Sequence, residues 1–159
     1  MNALRKILDT QALAKFLADC ARPLVFTNGC FDILHRGHTT YLEQARNLGQ
    51  ALIVGVNTDN SVRRQNKATD RPFNSLADRM AVLASLQCVD AVVSFDEETP
   101  AVLIELIQPD ILVKGGDWTV ENIVGADFVR SYGGEVHSIA FKHDRSTTSL
   151  VERIRESAH

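Results

Sequence analysis

The run Ala51-Leu52-Ile53-Val54-Gly55-Val56 is apolar at every position. A strand with one wet face alternates apolar and polar residues. A strand without that alternation is covered on both faces, as happens when helices cross over from one parallel strand to the next. Leu24 to Asn28 opens on a similar short run, and Ala91 to Phe95, Asp110 to Lys114 and Glu135 to Ala140 read as three more strands. Helical segments fill the intervals. Thr39 to Leu48 follows the first strand. Asn57-Thr58-Asp59 caps a short helix through Arg64. Ser75, with Asp78 in the usual capping-box position, opens a helix to about Gln87. Thr99 is expected at a cap and Pro100 in the first turn of a helix that ends before Pro109. Asp117 to Tyr132 reads as loop and short helix, closed by Gly133-Gly134. Ser146-Thr147-Thr148 opens a last helix through about Glu156.

Strands alternating with helices give an α/β fold, a Rossmann-like, doubly wound, five-stranded parallel sheet. The chain of 159 residues suits a single domain, 1–159. Residues 1–22 are expected as an N-terminal helical segment before a core at 24–155. Leu4 to Ala18 carries apolar residues in helical phase, and Asp9-Thr10 marks a second start within it.

In such sheets ligands sit beyond the carboxyl ends of the strands, where strand order reverses. Every unusual loop here follows a strand. The first, in Phe26-Thr27-Asn28-Gly29-Cys30-Phe31-Asp32-Ile33-Leu34-His35-Arg36-Gly37-His38, holds two glycines and two histidines. A strand-to-helix turn leaves backbone N–H groups pointing outward, where hydrogen bonding and the helix dipole favour an anion. Gly29 and Gly37 let a phosphate approach the backbone, and His35 and His38 can donate to its oxygens. A metal site built from Asp32, His35 and His38 is the competing reading. Gly37 and the loop-to-helix junction weigh against it.

The polar loop from Gln65 to Asn74 is rich in cations. The net charge of −3 makes local cations valuable to a phosphorylated substrate, so Lys67, Arg71 and Arg79 are candidates for one; a solvated surface is the alternative. Lys114-Gly115-Gly116-Asp117-Trp118 reads either as a plain turn around a buried Trp118 or as the flank of a nucleoside, with Asp117 accepting from ribose or base. Ser146-Thr147-Thr148 serves as a helix cap and, with three hydroxyls in a row, as a binder of phosphates.

The same negative balance gives no basic field for nucleic acid. No apolar run approaches the roughly 20 residues of a membrane span, and the first residues lack a signal peptide's apolar core. Cys20, Cys30 and Cys88 form no CxxC pair, so a reduced, cytoplasmic setting is expected.

The segment Gly29 to His38 resembles the Gly-x-Phe-Asp-x-x-His-x-Gly-His signature of the cytidylyltransferase-like nucleotidyltransferases. Ser146-Thr147-Thr148 is similar to that family's second signature. Arg71-Pro72, Asp78-Arg79-Met80, Val113 to Trp118 and Gly133 to Val136 narrow the resemblance to a branch that acts on a heptose 1-phosphate. The likeness runs from about Leu24 to Arg155. It implies adenylyl transfer from ATP to D-glycero-β-D-manno-heptose 1-phosphate, giving ADP-heptose for lipopolysaccharide, with Mg²⁺ held mainly by ATP phosphates. It implies His35 and His38 as catalytic. Asn28, Gly29, Cys30, Phe31, Gly37, Lys114, Gly115, Asp117, Ser146, Thr147 and Thr148 are expected against ATP, and Asp32, Lys67, Arg71 and Arg79 against the sugar 1-phosphate. A form without the sugar kinase that many relatives carry is expected, as is a homodimer or higher homo-oligomer. A glycerol 3-phosphate cytidylyltransferase and a non-catalytic nucleotide-binding module are the alternatives.

Overall fold

The computed structural model describes residues 2–65, 71–116, 118–140 and 147–157. Five parallel strands form one sheet: β1 (Leu24–Gly29), β2 (Ala51–Asn57), β3 (Ala91–Phe95), β4 (Ile111–Gly115) and β5 (Glu135–Ile139). Their order is β3-β2-β1-β4-β5. The chain winds one way from β1 to β3 and then returns to β4 on the other side. The reversal therefore falls between β1 and β4, where Val25 stands beside Ile111 and Thr27 beside Val113.

Side chains alternate between two cores, one on each face of the sheet. Leu24, Phe26, Ile53, Val93 and Leu112 enter one core with Leu13, Leu103, Ile104, Ile107 and Val129. Val25, Leu52, Val54, Val92 and Val113 enter the other with Tyr41, Leu42, Met80 and Leu83. The helices are α1 (Thr10–Asp19), α2 (Arg36–Arg46), α3 (Asp59–Arg64), α4 (Leu76–Ala84), α5 (Ala101–Ile107), α6 (Ala126–Ser131) and α7 (Thr147–Ser157). α1, α5 and α6 cover the first face; α2 and α4 cover the second. Complete burial of β2 explains its unbroken apolar run.

Two carboxylates pin the sheet at the amino ends of its strands. Asp110 accepts from the backbone N–H of Leu24 at 2.6 Å and from Arg22 at 2.8 Å. Asp90 accepts from the N–H of Leu52 and from Arg46, both at 2.8 Å. Each satisfies a strand-end donor that would otherwise be buried without a partner.

The capping expectations divide. Asp9, Thr58 and Ser75 each cap a helix through the side chain. Thr99 does not: Pro100 occupies the cap position of α5 without a side-chain hydrogen bond, so Thr99 lies one residue too far out. α2 begins at Arg36, three residues before the expected Thr39. Its cap is His35, whose ring nitrogen Nδ1 accepts from the backbone N–H of Gly37 at 3.1 Å.

Candidate active site

The first turn of α2 brings the two histidines together. His35 caps the helix and His38 lies three residues on, with ring centroids 3.9 Å apart. Phe31 closes one side, its ring edge-on to His38 at 5.4 Å. Phe31 holds a left-handed backbone, φ +48°, which a bulky residue adopts only when its surroundings require it. Gly29 makes room for that conformation, since a Cβ there would come within 3.0 Å of the Phe31 ring. The glycine thus serves the aromatic wall as well as any approaching anion.

Burial and then the charge of neighbouring His35 push the His38 pKa down to about 4. Burial lowers His35 too. Both rings are therefore neutral at pH 7 in the ligand-free protein, each able to donate from one nitrogen. Unfolded histidine titrates near 6.5, so between 6.5 and 4 the unfolded chain binds a proton that folded His38 refuses. His38 leaves stability intact above pH 6.5 and lowers it as pH falls toward 4, by roughly 3 kcal/mol. Denaturant unfolding at pH 7 and pH 4.5 checks this. His38→Asn should lose less stability over that interval than wild type, and an equal loss would contradict the assignment.

Across the strand reversal lies the end of β4. Lys114 Nζ reaches Asn28 Oδ1 at 3.5 Å and lies 5.8 Å from the centre of the Trp118 ring. Trp118 is half exposed, not buried as the plain-turn reading required. Asn28, Gly29, Phe31, His38, Lys114 and Gly115 thus line one small cleft of about 200 Å³ at the carboxyl ends of β1 and β4. Imidazoles on one side and a cation with exposed glycine backbone on the other can hold the two ends of a phosphorylated nucleoside.

The residues expected on the sugar-phosphate side behave differently from one another. Asp32 is buried, and its carboxylate accepts from Arg71 at 3.1 Å and from the N–H groups of Phe73 and Asn74 at 2.9 Å. It fastens the segment after residue 70 to the signature turn. The Arg71 side chain is 15% exposed and stacks over Phe73, with its guanidinium carbon 4.8 Å from the ring centre. Arg79 is fully buried. It donates to the carbonyls of Cys30 at 2.6 Å, Asn57 at 2.8 Å and Asn74 at 3.1 Å, and to the carboxylate of Asp59 at 2.8 Å. That geometry revises its expected contact with a sugar phosphate: Arg79 clamps the loops that follow β1 and β2. Cys30 offers its thiol to Asn57 and Gln65 at the long distances of 3.8 and 3.6 Å.

Lys67, Asp117 and Ser146 lie outside the described residues; Thr147 and Thr148 begin α7. Sequence reasoning missed Thr27, Tyr41 and Asn57, all buried polar residues close to the cleft. For Tyr41 the one available signal is its place three residues after His38 on the same helix.

The sequence pattern of the family described as cytidylyltransferase-like matches residues 26–154. The chain is 56% identical over 135 residues to a protein of Bordetella bronchiseptica named D-beta-D-heptose 1-phosphate adenylyltransferase, covering 85% of this chain and 83% of that one. It is 60% identical over 155 residues to the bifunctional protein HldE of Pseudomonas aeruginosa (strain LESB58), covering 96% of this chain. It spans only about a third, 33%, of that bifunctional relative. Among solved structures, a lipopolysaccharide core biosynthesis protein from Thermoplasma volcanium superposes with a TM-score of 0.61 at 27% identity, over 77% of this chain and 98% of that one. A pantoate-beta-alanine ligase from Francisella tularensis shares the fold, with a TM-score of 0.58 at 15% identity, over 89% of this chain and 68% of that one.

Proposed function

This chain belongs to the cytidylyltransferase-like family, and from that premise we propose that it is a nucleotidyltransferase joining AMP from ATP to D-glycero-β-D-manno-heptose 1-phosphate. The observation that carries the reading is the 56% identity, over most of both chains, with a protein named for that activity. A phosphate oxygen of the sugar phosphate attacks the α-phosphorus of ATP. The bond from that phosphorus to the α–β bridging oxygen breaks, and pyrophosphate leaves with the displaced charge. The products are ADP-heptose and pyrophosphate, the former a precursor for lipopolysaccharide.

The reaction needs positioning and charge stabilisation more than covalent chemistry. His35 and His38 face the triphosphate and stabilise charge on the departing pyrophosphate. Asn28, Gly29, Cys30, Phe31, Gly37, Lys114, Gly115 and Asp117 surround the nucleotide, and Ser146, Thr147 and Thr148 meet its phosphates. Arg71, anchored by Asp32, and Lys67 receive the sugar phosphate. Mg²⁺ would be held by ATP phosphates and water and supply charge neutralisation.

No described helix is long and apolar enough to cross a membrane. The cytoplasm, where ATP is abundant, is the proposed compartment; a homo-oligomer is proposed on the family resemblance alone.

A pyrophosphate-release panel crossing ATP and CTP with heptose 1-phosphate, other sugar phosphates and glycerol 3-phosphate tests the reading. Release is expected with ATP and heptose 1-phosphate together. Strong turnover with CTP and glycerol 3-phosphate, and none with ATP, would reassign the chain to a sibling activity.

A further inference from the structure

Tyr41 and His38 are three residues apart on α2, so their side chains leave the same face of the helix. Tyr41 is buried, as is Thr27 in β1, and the phenol hydrogen-bonds the Thr27 hydroxyl. Tyr41 also lines the cleft beside Gly115, at the end of β4. Burial pushes the phenol's acidity well out of the physiological range, so this group is a hydrogen-bonding partner and not a base. A phenylalanine would fill the same space with no polar atom to satisfy. The hydroxyl therefore calls for an explanation beyond packing, and its surroundings supply one.

Thr27 lies in β1 and Gly115 ends β4, the two strands that flank the reversal. β1 leads into Asn28 and Gly29, β4 ends at Lys114 and Gly115, and α2 presents both histidines. Tyr41 lines the same cleft as all of them. One oxygen thus ties α2, expected to carry the phosphate-binding imidazoles, to β1, whose neighbour β4 is expected to flank the nucleoside.

We propose that Tyr41 is a positioning residue: its phenol, bonded to Thr27 at the strand reversal, sets the spacing between the histidine pair and the Lys114-Gly115 turn and so aligns both ends of a bound nucleoside triphosphate. The proposal rests on the nucleotidyl-transfer reading above. In-line displacement is sensitive to displacements well under an ångström in the groups that hold the two ends of the nucleotide. A misaligned complex still binds but reacts slowly.

The test measures steady-state kinetics and thermal unfolding for wild type, Tyr41→Phe and Tyr41→Phe/Thr27→Val. Tyr41→Phe should lower kcat about 10-fold, with the KM values for ATP and sugar phosphate staying within about 2-fold. It should also lower the melting temperature, because the Thr27 hydroxyl loses its partner. The double variant removes both polar groups and should recover the melting temperature without recovering kcat. If the double variant recovers both, the pair serves packing alone and the proposal is overturned. Wild-type kcat in Tyr41→Phe overturns it equally. Wild-type protein that releases no pyrophosphate from ATP and heptose 1-phosphate overturns the reaction reading, and this proposal with it.

Discussion

His38→Ala should lower turnover by roughly 100-fold or more while changing ATP affinity by no more than a few-fold. His38 sits in the first turn of α2 beside His35, under the edge of Phe31. It is held there by the helix and by burial, so it donates without reorganising. In the proposed reaction, charge on the leaving pyrophosphate grows toward the transition state. A donor aimed at that charge contributes mostly to rate and little to ground-state binding. The measurement is kcat with saturating substrates, alongside calorimetry of ATP binding and circular dichroism to establish folding. Folded His38→Ala protein with near wild-type turnover would remove His38 from the chemistry.

Arg79→Ala should cost about 3–5 kcal/mol of stability, the range for breaking a buried charge pair by removing one partner. The guanidinium is the common partner of three backbone carbonyls and Asp59. Its loss leaves Asn57, in the buried end of β2, with an unmatched carbonyl. For a chain of this size that corresponds to a melting temperature lower by roughly 10 °C. Arg79→Lys should recover only part of the loss, because one ammonium cannot reproduce the planar fork. Denaturant unfolding decides. A change below about 1 kcal/mol in Arg79→Ala would contradict the clamp. It would also reopen a direct contact between Arg79 and the sugar phosphate.

The sheet was legible because burial on both faces writes itself into composition. β3 falls on the expected Ala91 to Phe95; β1, β2 and β5 differ by a residue at one end and β4 by a residue at each end. Caps built from Asp9, Thr58 and Ser75 were legible because a short oxygen-bearing side chain reaches the second or third N–H beyond it. The start of α2 was not. A histidine cap followed by arginine and glycine carries little helical signal, and it is the imidazole's bond to Gly37 that starts the helix early. The sequence marks this turn as a candidate phosphate site, since glycines and histidines after a strand make an unusual group. The division of labour among the cations was not visible. Arg71 and Arg79 read alike in sequence, and only the fold leaves one partly exposed and buries the other completely. Asp32 is similar: its role depends on the N–H groups of Phe73 and Asn74, some forty residues away. The role of Tyr41 is hidden because an apolar-looking helix position gives no sign that its hydroxyl meets Thr27 in β1.

The central claim is adenylyl transfer onto a sugar phosphate. Phosphorus NMR of the protein incubated with ATP, Mg²⁺ and D-glycero-β-D-manno-heptose 1-phosphate tests it most directly. The expected spectrum gains the paired resonances of a sugar diphosphonucleoside and the single line of pyrophosphate in equal amounts, as the ATP and sugar-phosphate signals fall. Formation of ADP together with a heptose bisphosphate would place attack at the γ-phosphorus and contradict the account, as would an unchanged spectrum from folded protein.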